Sequence, residues 1–205
     1  MDKTLNEVSL NINRLSNGTI FIGNIKEGHP DGMGWLIDEP RYQGEFKNGL
    51  KHGSGRLFYK DGKKIVAEFE NDKFHGHSLT YIPFKNEVLD QQWDQNKLIS
   101  MEQYKSDGSG AVCKSNEEGQ QHGMQTFFLK DGSSHQILYE NGVQIKHPNT
   151  GNIEGATEDK PNANFKKMII ETYEMNKTNF TNDIIWTLPE EVMKKIEEIN
   201  SKKKD

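Results

Sequence analysis

Cysteine is almost missing from this chain. Cys113 stands alone among 205 residues, so no internal disulfide can form, which fits a reducing compartment. Arginine is scarce as well, at 3 against 23 lysines. Core-forming side chains are thin: 32% of residues are apolar, and adding the 19 glycines still leaves the chain short of the ~45–50% usual for a globular domain. No apolar run approaches the ~20 residues of a membrane-spanning helix, and mean hydropathy is −0.88. No basic stretch followed by an apolar one stands at the start, so secretion is not signalled. The net charge of −5 divides as −3 over residues 1–146 and −2 over 147–205. Nucleic-acid binding needs a concentrated basic surface to release phosphate counterions, and none is visible. A transmembrane protein, a disulfide-stapled secreted domain and a deep-cored α/β enzyme are all poor fits.

What the chain does have is self-similarity. One stretch runs Tyr42-Gln-Gly44-Glu-Phe46-Lys-Asn-Gly49-Leu-Lys-His52-Gly53-Ser-Gly55-Arg56-Leu57-Phe58-Tyr59-Lys-Asp61-Gly62. The copy before it holds Phe21, Gly23, Ile25, Gly28, Gly32 and Gly34, and the copy after it holds Ile65, Ala67, Phe69, Asp72, His75 and Gly76. Three degraded copies follow, opened by Leu89 (with Trp93 in the place of Phe46), Val112 (keeping His122-Gly123) and His135. Starts at 21, 42, 65, 89, 112 and 135 give spacings of 21, 23, 24, 23 and 23. Such a period means stacked supersecondary units.

Each unit reads as a β-hairpin. Tyr42, Gly44 and Phe46 alternate at period two, as one face of a strand should. Asn48-Gly49 and a His52-Gly53 corner supply turn chemistry; Gly55, Leu57 and Tyr59 resume the alternation, and Lys60-Asp61-Gly62 turns the chain again. Gly44 and Gly55 inside strands point to close approach of another group, read here as an aromatic ring from the neighbouring repeat. One hairpin is marginal alone, whereas stacked hairpins share an apolar face. The expectation is a mostly β fold, an elongated antiparallel meander over residues 1–146, with capped ends.

This pattern resembles the MORN repeat (membrane occupation and recognition nexus), whose units have an aromatic-x-Gly-acidic-aromatic strand, then Asn-Gly, His-Gly and Gly-x-Gly, a second strand and a closing Asp-Gly. Residues 42–62 follow it at nearly every position. Ala67 and Gln91 depart from the strand glycine, and Leu98-Ile99 stand where His-Gly belongs, so units four and five are expected to be the most irregular. The repeat-structural residues are then Gly23, Gly34, Tyr42, Gly44, Phe46, Gly49, His52, Gly53, Gly55, Phe69, His75, Gly76, Trp93, His122 and Gly123.

Periodicity ends near Lys146. Residues 147–164, rich in Asn, Gly, Pro and Thr, read as a linker or strap. In 165–205, Phe165, Met168, Ile169, Thr172 and Tyr173 fall at helical spacing. Thr187, Leu188 and Pro189 open a second helix with Val192, Ile196 and Ile199 on its apolar stripe. These helices either fold back to cap the sheet or dock on another protein. In the second case Ile185, Trp186, Val192 and Ile196 are candidate anchors, since buried Trp dominates interfaces. Strand alternation separates Phe58 from Tyr59 and Phe127 from Phe128. One face packs the core, and the other presents Arg56, Phe58 and Phe128 to solvent or a partner.

No catalytic arrangement emerges. The histidines at 29, 52, 75 and 122 would stack, but no ligand spacing fixes a metal geometry. Gly32-Met-Gly34 and Gly53-Ser-Gly55 recur with the repeat, so they are structural rather than phosphate cradles. Cys113 lacks an activating partner beyond Lys114. The chain is therefore expected to be no enzyme and to take no cofactor, metal, small-molecule substrate or nucleic acid. Its expected partners are other proteins of a large assembly. The resemblance implies a scaffold or assembly subunit in the cytoplasm, at the cytoskeleton or a ciliary axoneme of the radial-spoke type. A membrane-proximal adaptor is the alternative, with Lys47, Lys51, Lys60, Lys63 and Lys64 as a basic cluster contacting phosphoinositide headgroups. An accessory subunit of a larger enzyme complex is the third option.

Overall fold

The structure, a computed structural model, describes residues 11–145, 158–159, 167, 169–174, 176–177, 194, 196–197 and 201. Its strands are β1 (Ile12–Arg14), β2 (Ile20–Lys26), β3 (His29–Ile37), β4 (Arg41–Lys47), β5 (Leu50–Phe58), β6 (Lys64–Glu70) and β7 (Lys73–Ile82). After a 3-10 turn at Pro83–Lys85 come β8 (Glu87–Asp94), β9 (Lys97–Lys105), β10 (Gly110–Lys114), β11 (Gly123–Phe128), β12 (Ser134–Glu140), β13 (Val143–Gln144) and β14 (Glu158–Asp159). From β1 to β13 every strand pairs with its sequence neighbour in one antiparallel meander. At the ~4.8 Å spacing of paired strands, thirteen of them extend over roughly 55–60 Å.

The two margins of the sheet are turned by different chemistry. On one margin the links are two residues long, both with positive φ: Glu27-Gly28, Asn48-Gly49, Asn71-Asp72, Gln95-Asn96 and Asn141-Gly142. That is the type I′ geometry, whose twist matches the strands it joins. On the other margin Asn17, Asp61, Asp107 and Asp131 each accept a hydrogen bond from the backbone N–H two residues on, at 2.9–3.0 Å, and a glycine follows each. The I′ turns also tie one repeat to the next. Gly49, Asp72, Asn96 and Gly142 donate their N–H groups to the carbonyls of Pro30, Lys51, Phe74 and Gln121.

Register follows the repeat. One transverse row passes through Phe21, Leu36, Tyr42, Leu57, Ile65, Thr80, Leu89, Gln103, Ala111, Phe127 and His135. Five of the six expected unit starts lie on it; the fifth unit presents Ala111 there instead of Val112, and a one-residue slip puts Val112 on the opposite face. The adjacent row of the same face reads Gly23, Gly34, Gly44, Gly55, Ala67, Ser78, Gln91, Met101 and Cys113. It runs from glycine at one end to larger side chains at the other.

The rings of the first row explain the glycines of the second. A Cβ at Gly55 would lie 2.4 Å from the Tyr42 ring, and one at Gly34 would lie 2.5 Å from Phe21. The covering ring belongs to the same unit as its glycines, not to the neighbouring repeat, because Tyr42 folds along its own strand and donates its hydroxyl to the Glu45 carbonyl at 3.0 Å. In the third unit Ile65 carries no ring, and Ala67 and Ser78 fill the space. Phe21, Tyr42, Phe46, Leu57, Ile65, Ala67 and Phe69 form the main core on this ladder face. Edge-to-face contacts at 5.0–5.3 Å link Phe21, Phe46, Tyr42 and Phe69, and Phe74 continues them to Trp93, a favoured aromatic geometry.

Two further expectations change. His52-Gly53 is no corner: it lies inside the continuous strand β5, where Gly53 at φ 58° makes a bulge. The Glu45 carboxylate accepts from the freed Ser54 N–H, and Glu68 does the same for His77 past Gly76, as bulges leave an extra residue unpaired. Unit four keeps a full hairpin, with β8 and β9 paired at eight positions around one register shift at Gln92/Trp93. The irregularity falls in unit five, where β10 and β11 pair at only three.

Candidate interaction surface

The second face of the sheet, here the helix face, is built from the residues between those of the ladder. Its rows hold Ile12, Ile22, Trp35, Gln43, Arg56, Val66 and Leu79, beside Arg14, Ile20, Ile37, Arg41, Phe58, Lys64, Tyr81 and Val88. Trp35 stacks on Phe58 at 5.7 Å, and the Arg41 guanidinium lies 5.4 Å from the Phe58 centroid. Val66, Leu79 and Tyr81 complete this cluster. Farther along the face, His77 and Asp90 are 2.7 Å apart, and Tyr104 donates to Glu102.

The described helical residues of the C-terminal third lie on this face. Ile169 is 2% exposed and sits 3.7 Å from where a Gly110 Cβ would be. Tyr173 is 1% exposed; burial first, and then the Tyr81 phenol beside it, push its hydroxyl up to about 12. Ile196 packs with Ile20 and Ile22, flanked by Ile12, Trp35 and Ile37. Exposed Lys167, Glu171 and Glu174 occupy the outer side of the first helical stretch, which is the amphipathic division expected. On the described residues, then, the segment covers its own sheet. Strand β14 adds a strap, pairing Asp159 and Glu158 with Ser134 and His135 on the outer margin of β12, while β13 takes Tyr139 and Glu140.

The sequence-derived partner candidates separate accordingly. Arg56, Phe58 and Phe128 lie on the helix face, where Phe58, buried at 6%, is not the solvent-facing group expected; Ile196, a candidate docking anchor, is buried at 7% against the same face. Arg56 and Phe128 are half-buried, Arg56 reaching the Gln43 side chain at 3.5 Å. Ile185, Trp186 and Val192 lie outside the described residues. Phe84, at 62% exposed, tips the turn before β8.

The histidines share no site. His75 faces Asp94 at 3.2 Å and Glu70 at 4.0 Å, whereas His122 accepts from the Asn141 N–H at 3.4 Å. His29 is out of phase, since Asp31 holds the place equivalent to His52. Among the described residues no three His, Cys, Asp or Glu groups converge as metal ligands. Cys113 is buried, and burial pushes its thiol pKa up, opposite to the activation a nucleophile needs. The lysines of the basic cluster divide between the two margins of the sheet: Lys51 pairs with Asp72 at 3.5 Å, Lys60 pairs with Glu39 at 3.8 Å, and Lys63 covers the Tyr59 ring.

One structural residue of the ladder face escaped the sequence. Gln125 is fully buried in unit five. Its amide donates to the Lys114, His122 and Gly123 carbonyls at 3.0–3.2 Å and accepts from the Lys114 N–H at 2.8 Å. It fills with hydrogen bonds the space that rings fill in earlier units, and a glutamine inside a strand carries no signal of that role.

The MORN repeat family model matches residues 42–64 and 66–77. Both units keep the bulged His-Gly pair, and the first also keeps a ring over its strand glycines. MORN is a non-enzymatic repeat, found in scaffold and membrane-associating proteins, where it mediates protein or membrane-lipid interactions. With this match and the hairpin register just described, the stretch 42–77 consists of MORN repeats.

Proposed function

We propose that this chain is a non-enzymatic scaffold subunit that joins other proteins in a eukaryotic cytoskeletal or ciliary assembly of the radial-spoke kind. The observation that carries this reading is the stacked-hairpin repeat matched at 42–64 and 66–77, whose helix face carries half-buried Trp35, Arg41 and Arg56, residue types enriched at protein interfaces. The ladder face and the turns have a different task, since their polar groups join one repeat to the next. Proximity labelling in cells, with native sizing of extracts, tests the proposal. Recovery in a large assembly with cytoskeletal or axonemal neighbours is expected; a free monomer with no such neighbours overturns it.

One observation favours a second reading, a membrane-proximal adaptor. On the Asp-Gly margin Phe84 and Leu129, 62% and 44% exposed, neighbour Lys85 and Lys130. Each lysine near an anionic surface contributes only ~1 kcal/mol, and Lys130 is already paired with Asp107 at 3.1 Å. Flotation with phosphoinositide-containing vesicles decides it, because an adaptor floats and a purely protein-binding scaffold stays in the dense fraction.

A further inference from the structure

We infer that the meander is two stiff blocks, β1–β9 and β10–β13, joined by a hinge that opens between β9 and β10 on the type I′ margin and pivots on the Asp-Gly margin. The inference concerns the free chain and does not depend on the scaffold proposal.

Equivalent places in the repeat carry it. On the I′ margin the second turn residue of a unit ties back to one residue of the unit before. Asp72 and Asn96 donate their N–H groups to the Lys51 and Phe74 carbonyls at 3.0 and 2.9 Å. Their side chains accept the N–H of those same two residues at 2.9 and 2.8 Å. Two bonds therefore close β5/β6 and two close β7/β8. At β3/β4 one survives, from Gly49 to Pro30 at 2.8 Å, because glycine brings no side-chain acceptor and proline no N–H.

In the fifth unit Gly119 holds the matching place, 23 residues after Asn96, and Leu98 holds the place of Lys51 and Phe74. Gly119 donates instead to Asn116 in its own loop, at 2.9 Å. Asn116 gathers the rest of that loop, its side-chain oxygen accepting from the Glu118 and Gln120 N–H groups at 3.1 and 2.9 Å. The other ties of this loop run forward: the Asn116 amide donates to the Asn141 side chain at 2.9 Å, and Gly142 donates to the Gln121 carbonyl at 2.8 Å. The last bond across β9/β10 is Ser115 N–H to Ile99 at 2.8 Å. Among the described residues no hydrogen bond joins the two turns beyond it.

Ring packing divides at the same place. The ring contacts that begin at Phe21 end at Trp93 in β8, and Phe127 stacks on His135 within the second block. The opposite margin is held. Ser106 donates its N–H to the Asn86 carbonyl at 3.1 Å, and Asp107 meets Lys130 at 3.1 Å, so the β9/β10 turn is joined to the turns on both sides. A region with fewer bonds opens at lower free energy, and a hinge confines the change to a few loop positions. A partner lying across both blocks therefore meets an adjustable angle, whereas one confined to β1–β9 meets a fixed surface.

Paired spin labels in a Cys113→Ser background test this. Lys73, Lys97 and Gln120 hold one place in units three, four and five, Lys85 and Ser106 flank the pivot, and all five are exposed. The distance distribution of Lys97→Cys/Gln120→Cys is expected to be about twice as wide, or more, as those of Lys73→Cys/Lys97→Cys and Lys85→Cys/Ser106→Cys. Equal widths overturn the hinge, and a broad Lys85/Ser106 pair overturns the pivot. Asn96→Gly removes the acceptor of the Phe74 N–H and should broaden the Lys73/Lys97 pair; an unchanged width overturns the turn ties as the source of stiffness. Should labelling disturb the fold, hydrogen exchange on wild type decides. The Ser115 amide is expected to exchange about tenfold or more faster than the Asp72 and Asn96 amides, and equal rates overturn the inference.

Discussion

Gly55→Ala isolates the packing rule of the ladder face. Gly55 has no positive φ, so alanine costs nothing in backbone conformation there and on chain-entropy grounds should stabilise by ~0.4–1 kcal/mol. Opposing this, the new methyl would lie 2.4 Å from the Tyr42 ring and hydroxyl, and that ring is fully buried and ringed by Phe46 and Phe69. Overpacking of this sort costs ~1–3 kcal/mol. Displacing the ring also breaks the Tyr42 hydroxyl's bond to the Glu45 carbonyl, worth ~1 kcal/mol. The net loss is about 1.5–3 kcal/mol. At ~2–4 °C per kcal/mol for a chain of this size, Tm falls by roughly 4–10 °C in a circular-dichroism melt. The third unit, with Ile65, Ala67 and Ser78 in the matching places, shows the compensated arrangement. Tyr42→Ile should therefore be less harmful in a Gly55→Ala background than alone, and a double-mutant cycle should give a favourable coupling of ~1 kcal/mol or more. A Gly55→Ala protein that melts at or above the wild-type temperature, or a cycle with no coupling, would refute ring-over-glycine packing as the reason for these glycines.

Three further outcomes follow from the same structure. Gln125→Leu removes four hydrogen bonds to the backbone and takes the acceptor from the Lys114 N–H, while the Lys114 carbonyl keeps the His122 N–H; a loss of ~2–4 kcal/mol is expected, with the Lys114 amide losing hydrogen-exchange protection before those of β4. Asp107 is held down at about 2, first by the Ser109 hydroxyl, then by the Ser109 N–H and by Lys130, against an opposing burial effect. Its folded pKa is depressed, so its contribution is present above the ordinary carboxylate value near 3.8 and fades as pH falls towards 2. Asp107→Asn should flatten the stability profile between those limits in acid titrations and leave the profile above pH 5 parallel to wild type. Cys113 should react with a disulfide reagent at neutral pH only when the sheet opens, so its labelling rate should rise steeply in urea; labelling as fast as a free thiol without denaturant would contradict its burial.

Much of this architecture was legible in the residues because a hairpin is a local object. Two positive-φ positions at Asn48-Gly49 define a turn, and the alternation from Tyr42 to Phe46 assigns the two faces, with no distant contact needed. The family resemblance came from the same local pattern. Local chemistry is ambiguous where strand pairing decides the outcome. His52-Gly53 has the composition of a corner, yet it is a bulge, because only pairing with β4 keeps that stretch in a strand. The repeat spacing starts the fifth unit at Val112, whereas register across β9 to β12 places Ala111 there.

The sequence alone determined the period and the turn chemistry, since each depends on residues a few positions apart. Only the tertiary structure decided which unit supplies the ring over Gly44 and Gly55, that Gln125 stands in for an aromatic, and that all three arginines share a face with Ile169, Tyr173 and Ile196. Those facts depend on how strands pair and pack, at separations from a few positions to more than a hundred, and chain folding rather than local preference decides them.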